Sequence, residues 1–191
     1  MHIVGGYVIA TPTMLGPDDL PRPLRTISHC LLPDLPRAPD ADWFVDRTTA
    51  EATVKATSVD ADVLAVGIEE SLAQTLRTDR ADWWAANPAL AKSRRGKSPA
   101  IDPGADEFFH LLDQKRPLDA TVLGFELVGL ESDFTFHSWH CFPYEAERHA
   151  LDITLAPDGL LADHDDALRA LDHLRANPPR EIPWTIVAVG R

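Results

Sequence analysis

Long apolar runs are missing from this chain of 191 residues. None reaches the roughly 18–20 residues that a membrane-spanning helix needs, so a transmembrane protein is excluded as a reading. Cysteine is scarce, with only two residues, Cys30 and Cys141. Two are too few for a disulfide framework, which points to a reducing, cytoplasmic setting, although a Cys30–Cys141 bridge stays open because sequence does not set its geometry. Positive charge is also in short supply: 18 Lys and Arg stand against 30 Asp and Glu, for a net charge of −12. That balance disfavours nucleic acid and anionic membranes as partners, since both attract basic surfaces. It permits a basic protein partner, whose encounter an opposite field would speed. It also serves simple solubility.

Several motifs are absent as well. No G-x-S-x-G turn presents a nucleophile, no Gly-rich run cradles a phosphate, and Asp163, Asp165 and Asp166 lack the spacing of a calcium loop. The basic stretch Lys92-Ser93-Arg94-Arg95-Gly96-Lys97 therefore reads as a solvated loop. The N-terminal residues carry no basic cluster ahead of their apolar stretch, so 2–10 read as a first strand and not as a secretion signal.

What is present fits one α+β domain over 1–191, with its weakest internal boundary near 93–101. Residues 11–42 hold seven prolines, which excludes a long helix or a central strand there and leaves room for one short strand at 25–32. Leu64, Ile68, Leu72 and Leu76 recur every four positions and predict a helix over 59–77 capped by Ser58. Val63 to Val66 reads alternatively as a buried strand feeding a shorter helix. Further helices are expected at 80–92, interrupted by Pro88, and at 103–115. Strands are expected at 121–130, 134–142 and 184–189, with short elements at 144–150 and 151–155. Asp163 should cap a helix whose apolar face carries Ala167, Leu168, Leu171 and Leu174. Together these elements predict an antiparallel sheet with helices packed mainly on one face.

The densest chemistry lies at 134–149, where five aromatic residues, three His and one Cys fall within sixteen positions. Pairing Leu130 with Phe134 across Glu131-Ser132-Asp133 puts Leu123, Phe125 and Leu127 on a core-facing side of a hairpin. Glu126, Ser138 and His140 then share the other side, which is expected to be half-exposed. Carboxylate, hydroxyl and imidazole are the parts of a nucleophilic triad, and these three residues are the catalytic candidates. Against that reading, a strand hydroxyl has no evident oxyanion hole, and a polar cross-strand cluster explains the same residues. His137, His140 and Cys141 are the candidate metal ligands. On a strand, residues four apart stand about 13 Å from each other, too far to share one zinc, so burial of these groups in the core is the competing expectation and no cofactor is called for. Trp83, Trp84 and Trp139 are the candidate contact residues for a partner, since Trp is enriched at interaction hot spots.

Leu123-Gly124-Phe125-Glu126-Leu127-Val128-Gly129, Phe136-His137-Ser138-Trp139-His140-Cys141, Gly159-Leu160-Leu161 and Pro183-Trp184-Thr185-Ile186-Val187 resemble a group of small bacterial proteins, some of them immunity proteins of secreted toxin systems. The resemblance covers residues 121–191. It implies a stoichiometric, non-catalytic binder that neutralises a toxin without a cofactor, and an acidic surface would suit a basic toxin. The competing expectation is a small hydrolase or metal-dependent enzyme built on Glu126, Ser138, His140 and Cys141.

Overall fold

A computed structural model of the chain describes residues 1–11, 13–15, 22–28, 43–88, 104–130, 136–142 and 145–191. The protein is α+β. Five antiparallel strands form one curled sheet: β1 (His2–Ala10), β4 (Asp62–Glu69), β7 (Trp184–Gly190), β5 (Val122–Leu130) and β6 (Phe136–Ser138), in that spatial order. A separate ribbon pairs β2 (Thr13–Leu15) with β3 (Arg22–Leu24) inside the proline-rich segment. The helices are α1 (Arg47–Thr57), α2 (Glu70–Ala86), α3 (Gly104–Asp113), α4 (Glu145–Ala150) and α5 (His164–Ala176). Among the described residues, no helix is long and apolar enough to cross a membrane.

The central strands are apolar on both sides, and the packing explains why. Val128, Leu130, Val187 and Val189 join a cluster with Leu64, Val66 and Ile68 of β4, Leu76 of α2, and Phe108, Phe109 and Leu112 of α3. The alternate residues, Phe125, Leu127, Ile186 and Ala188, meet Ala167, Ala170, Leu171 and Leu174 of α5. A strand covered on both faces has no polar side to show, so its sequence reads as a continuous apolar run. This corrects the expectation of a half-exposed second face for the 121–142 hairpin.

The structure adopts the alternative reading of 59–77. Residues 62–69 are strand and the helix starts at Glu70, because a four-residue leucine spacing satisfies β4 and α2 in succession. The helix then continues through Trp83 and Trp84, joining what looked like two helices. Helix α1 was not expected. Only Ala50 of it is buried, so it lacks a strong apolar stripe, but Asp46 caps it by accepting from the Thr49 N–H at 2.7 Å. Helix α5 starts as its sequence suggests, with Asp163 accepting from the N–H groups of Asp165 and Asp166 at 2.8 and 3.1 Å. Residues 29–42, 89–103 and 131–135 lie outside the described residues, and with them Cys30 and the basic stretch 92–97.

The hairpin register differs by two from the expected one: Leu130 pairs with Phe136 and Val128 with Ser138. A shift of two preserves which side each residue faces. Strand β6 is also shorter than expected. It ends at Ser138, whose side chain accepts from the His140 N–H and opens a one-turn 3-10 helix over Trp139–Cys141.

Candidate functional site

Glu126 and Ser138 meet, as their shared face implied, but in a sealed interior. Both have no solvent exposure. The segment 25–28 crosses the sheet at this point. The Thr26 hydroxyl donates to Glu126 Oε1, and the Ile27 N–H donates to Oε2 at 2.9 Å. The Ser138 hydroxyl is a third donor. Each hydroxyl is itself held by a backbone N–H: Ser28 N–H donates to Thr26 Oγ1 at 3.1 Å, and His140 N–H donates to Ser138 Oγ at 3.1 Å. The carboxyl is thus the shared acceptor of two short relays from separate parts of the chain. Burial pushes it up to about 7, against the opposing pull of its Ser138, Thr26 and Ile27 donors.

Arg25 fixes the start of this crossing segment. Its Nη1 lies 2.8 Å from Asp62 Oδ2 and its Nε lies 3.2 Å from Asp158 Oδ2, with the Arg25 N–H donating to the Asp158 carbonyl at 2.7 Å. The tie therefore consists of an ion pair at the mouth and a neutralisable carboxyl in the interior.

His140 takes a different place from the one the triad reading needs. It sits in the 3-10 turn, with its ring Nε2 3.1 Å from the Gly159 carbonyl oxygen. Cys141 is half-buried, with its Sγ 3.5 Å from Ser28 Oγ. His137 remains on β6, paired with Gly129. Among the described residues, no three His, Cys, Asp or Glu side chains are grouped to hold a metal ion, so His137, His140 and Cys141 do not form a ligand set. An enclosed carboxyl with all its donors in place binds segments of the chain to each other.

The tryptophans divide. Trp139 packs into the α5 cluster at 4% exposure, so it is core and not contact surface. Trp83 and Trp84 are half-buried near the end of α2, with their rings edge to face at 5.0 Å. The Trp83 indole N–H donates to the Glu181 carbonyl at 2.5 Å. Trp84 forms one wall of an open groove of about 460 Å³ between α2 and α3, which Arg77, Arg80, Ala81, Phe109, His110 and Asp113 complete. Arg77, Arg80 and Trp84 stand at i, i+3 and i+7 of α2, and so share one side of it. That spacing was in the sequence; the part played by Phe109, from another helix, was not.

No protein-family model, curated protein or solved structure matches this chain.

Proposed function

We propose that this protein is a non-catalytic binding module that holds another protein stoichiometrically, in the role that the resemblance of residues 121–191 to immunity proteins implies. One observation supports this above the others. Glu126 and Ser138, the groups best suited to chemistry, are fully enclosed and spent on joining segments, while a tryptophan-arginine surface remains at the end of α2. Trp and Arg are the residue types that dominate interface energetics. The net charge of −12 favours a basic partner, such as a cationic toxin domain. Residues 117–191 carry 13 of the acidic residues against 5 arginines, and Asp165 and Asp172 of α5 are exposed.

The test is calorimetry of the purified protein against the purified products of the genes flanking its own. The expected result is a one-to-one complex with one of them, which blocks that product's activity in the same ratio. Sub-stoichiometric inactivation, in which one molecule disables many, would require catalysis and overturn the reading. So would the absence of binding to every flanking product.

A further inference from the structure

The crossing segment 25–28 is held to the sheet in two unlike ways. At its start, Arg25 makes an ion pair with Asp62 and Asp158 that water still reaches. Further in, the polar hold rests on one group. Thr26, Ile27 and Ser28 are buried, and the Thr26 hydroxyl and the Ile27 N–H both end on the Glu126 carboxyl. Ser28 joins through its N–H, which donates to Thr26 Oγ1. Among the described residues, no charged side chain pairs with that carboxyl. Its own strand has no other ionisable residue, and β7 meets it with Val187. His140 turns its ring to the Gly159 carbonyl, Cys141 lies beside Ser28, and Arg25 is engaged by its two aspartates. A carboxyl enclosed without a cation favours its neutral form, because a buried charge has lost its hydration. Deprotonation in place leaves a charge compensated by three neutral donors alone. The segment is the part able to leave. Ile27 is its one residue in the main apolar cluster, whereas β5 and β7 are paired along most of their length. Lifting the segment would let water reach the carboxylate.

We infer that residues 25–28 form a proton-operated strap, docked while Glu126 carries its proton and released from the sheet, with β5 and β7 still paired, once that proton is lost. Release uncovers the Glu126 carboxylate and the Ser138 hydroxyl, which the docked strap encloses. The device belongs to the fold and is independent of the binding reading. Its direction follows from linkage. The docked carboxyl titrates at about 7 and a hydrated one near 4.5. Docking is therefore strongest below 4.5, weakens as pH rises between the two values, and levels off above 7. The opening constant of the strap should rise roughly 70-fold from about pH 5 to about pH 8.

The test is amide hydrogen exchange of the intact protein by NMR over that pH range, with each rate divided by the intrinsic rate at the same pH to give an opening constant. The Ile27 and Ser28 amides are expected to show the full rise, with little dependence on low concentrations of urea. The Leu127 and Val187 amides should open far less often, with the steep urea dependence of global unfolding. Glu126→Gln should make opening at Ile27 and Ser28 independent of pH. Arg25→Ala is the second variant, should the first fail to fold. It should raise opening by the same factor at every pH and leave the pH dependence intact. Opening constants and urea dependences that are identical at Ile27, Ser28, Leu127 and Val187 would overturn the inference, because the segment would then leave only with the whole fold. So would opening at Ile27 that does not change with pH, or a pH dependence that survives Glu126→Gln.

Discussion

Thr26 and Glu126 are 100 positions apart, and the hydroxyl of the first donates to the carboxyl of the second in a place with no solvent contact. The pair joins the proline-rich N-terminal segment to the centre of the sheet. An isolated buried carboxylate is costly to desolvate, and here that cost is only partly offset by its three donors, which is why the group holds its proton towards neutral pH.

Stability should therefore fall as pH rises from about 5 to about 7.5. The unfolded carboxyl titrates near 4.5 and the folded one at about 7. Below 4.5 both states are protonated and the group has no pH effect. Between the two values the unfolded state ionises first and is favoured, by up to roughly 3 kcal/mol, and above 7 the loss levels off. Glu126→Gln keeps the shape of the protonated acid and cannot ionise. Urea denaturation of this variant should show that decline removed, with stability at pH 8 equal to or above that of the native protein. Glu126→Ala should instead cost about 2–4 kcal/mol at pH 5, through a cavity and an unpaired Ile27 N–H. A Glu126→Gln variant that keeps the native pH profile would show that the carboxyl is not the titrating group.

Half of this relationship was legible in the sequence. Glu126 and Ser138 fall on one side of the hairpin in the expected register and in the observed one, because a shift of two conserves parity. The shift itself came from reading Glu131-Ser132-Asp133 as the whole loop. Thr26 and Ile27 could not be read as partners, since nothing local links a proline-rich segment to a strand a hundred residues later. Strand β7, helix α5 and its Asp163 cap were legible because each carries a pattern complete in itself. Strand β4 is legible only as the alternative to a helix, because Leu64 and Ile68 repeat at a spacing that both elements allow. Trp84 was recognised as a contact candidate, whereas Arg77 and Arg80 gain their meaning only from Phe109, 32 positions beyond Arg77.

Removing Arg25 should loosen the crossing segment without unfolding the sheet. Asp62 retains Arg191 at 3.0 Å, so its charge stays partnered, while Asp158 loses its guanidinium. The pairs are about one-sixth exposed on the arginine side, and Arg25→Ala should cost about 1–2 kcal/mol. Hydrogen exchange at the Ile27 and Ser28 amides should quicken well before exchange in β5 and β7. Uniform quickening across all of these amides would show that the segment opens only with the whole fold.

Gly124 marks a close approach of the chain to β5. A Cβ there would stand 2.7 Å from Leu160 Cβ and 2.8 Å from the Leu161 carbonyl oxygen, and both belong to a stretch bonded to β5 through Phe125 and Leu161. Neither neighbour is the free end of a flexible side chain. Gly124→Ala should therefore destabilise by about 1–3 kcal/mol, as overpacking does, and lower the melting temperature accordingly. An alanine variant as stable as the native protein would mean that residues 160–161 shift readily, and would place their packing outside the rigid core.

The binding reading makes its own quantitative demand on kinetics. If long-range attraction between an acidic surface and a basic partner speeds encounter, the association rate should fall roughly tenfold as salt rises from about 0.05 to about 0.5 M, with the dissociation rate nearly constant. Asp165→Asn with Asp172→Asn, both exposed on α5, should slow association a few-fold and leave dissociation unchanged. Trp84→Leu should do the reverse, because an aromatic group seated in an interface holds the formed complex instead of steering the approach. Surface plasmon resonance on the three proteins separates these effects. An association rate that ignores salt would remove electrostatic steering as the mechanism. A Trp84→Leu variant with an unchanged dissociation rate would leave the groove without a role in retention.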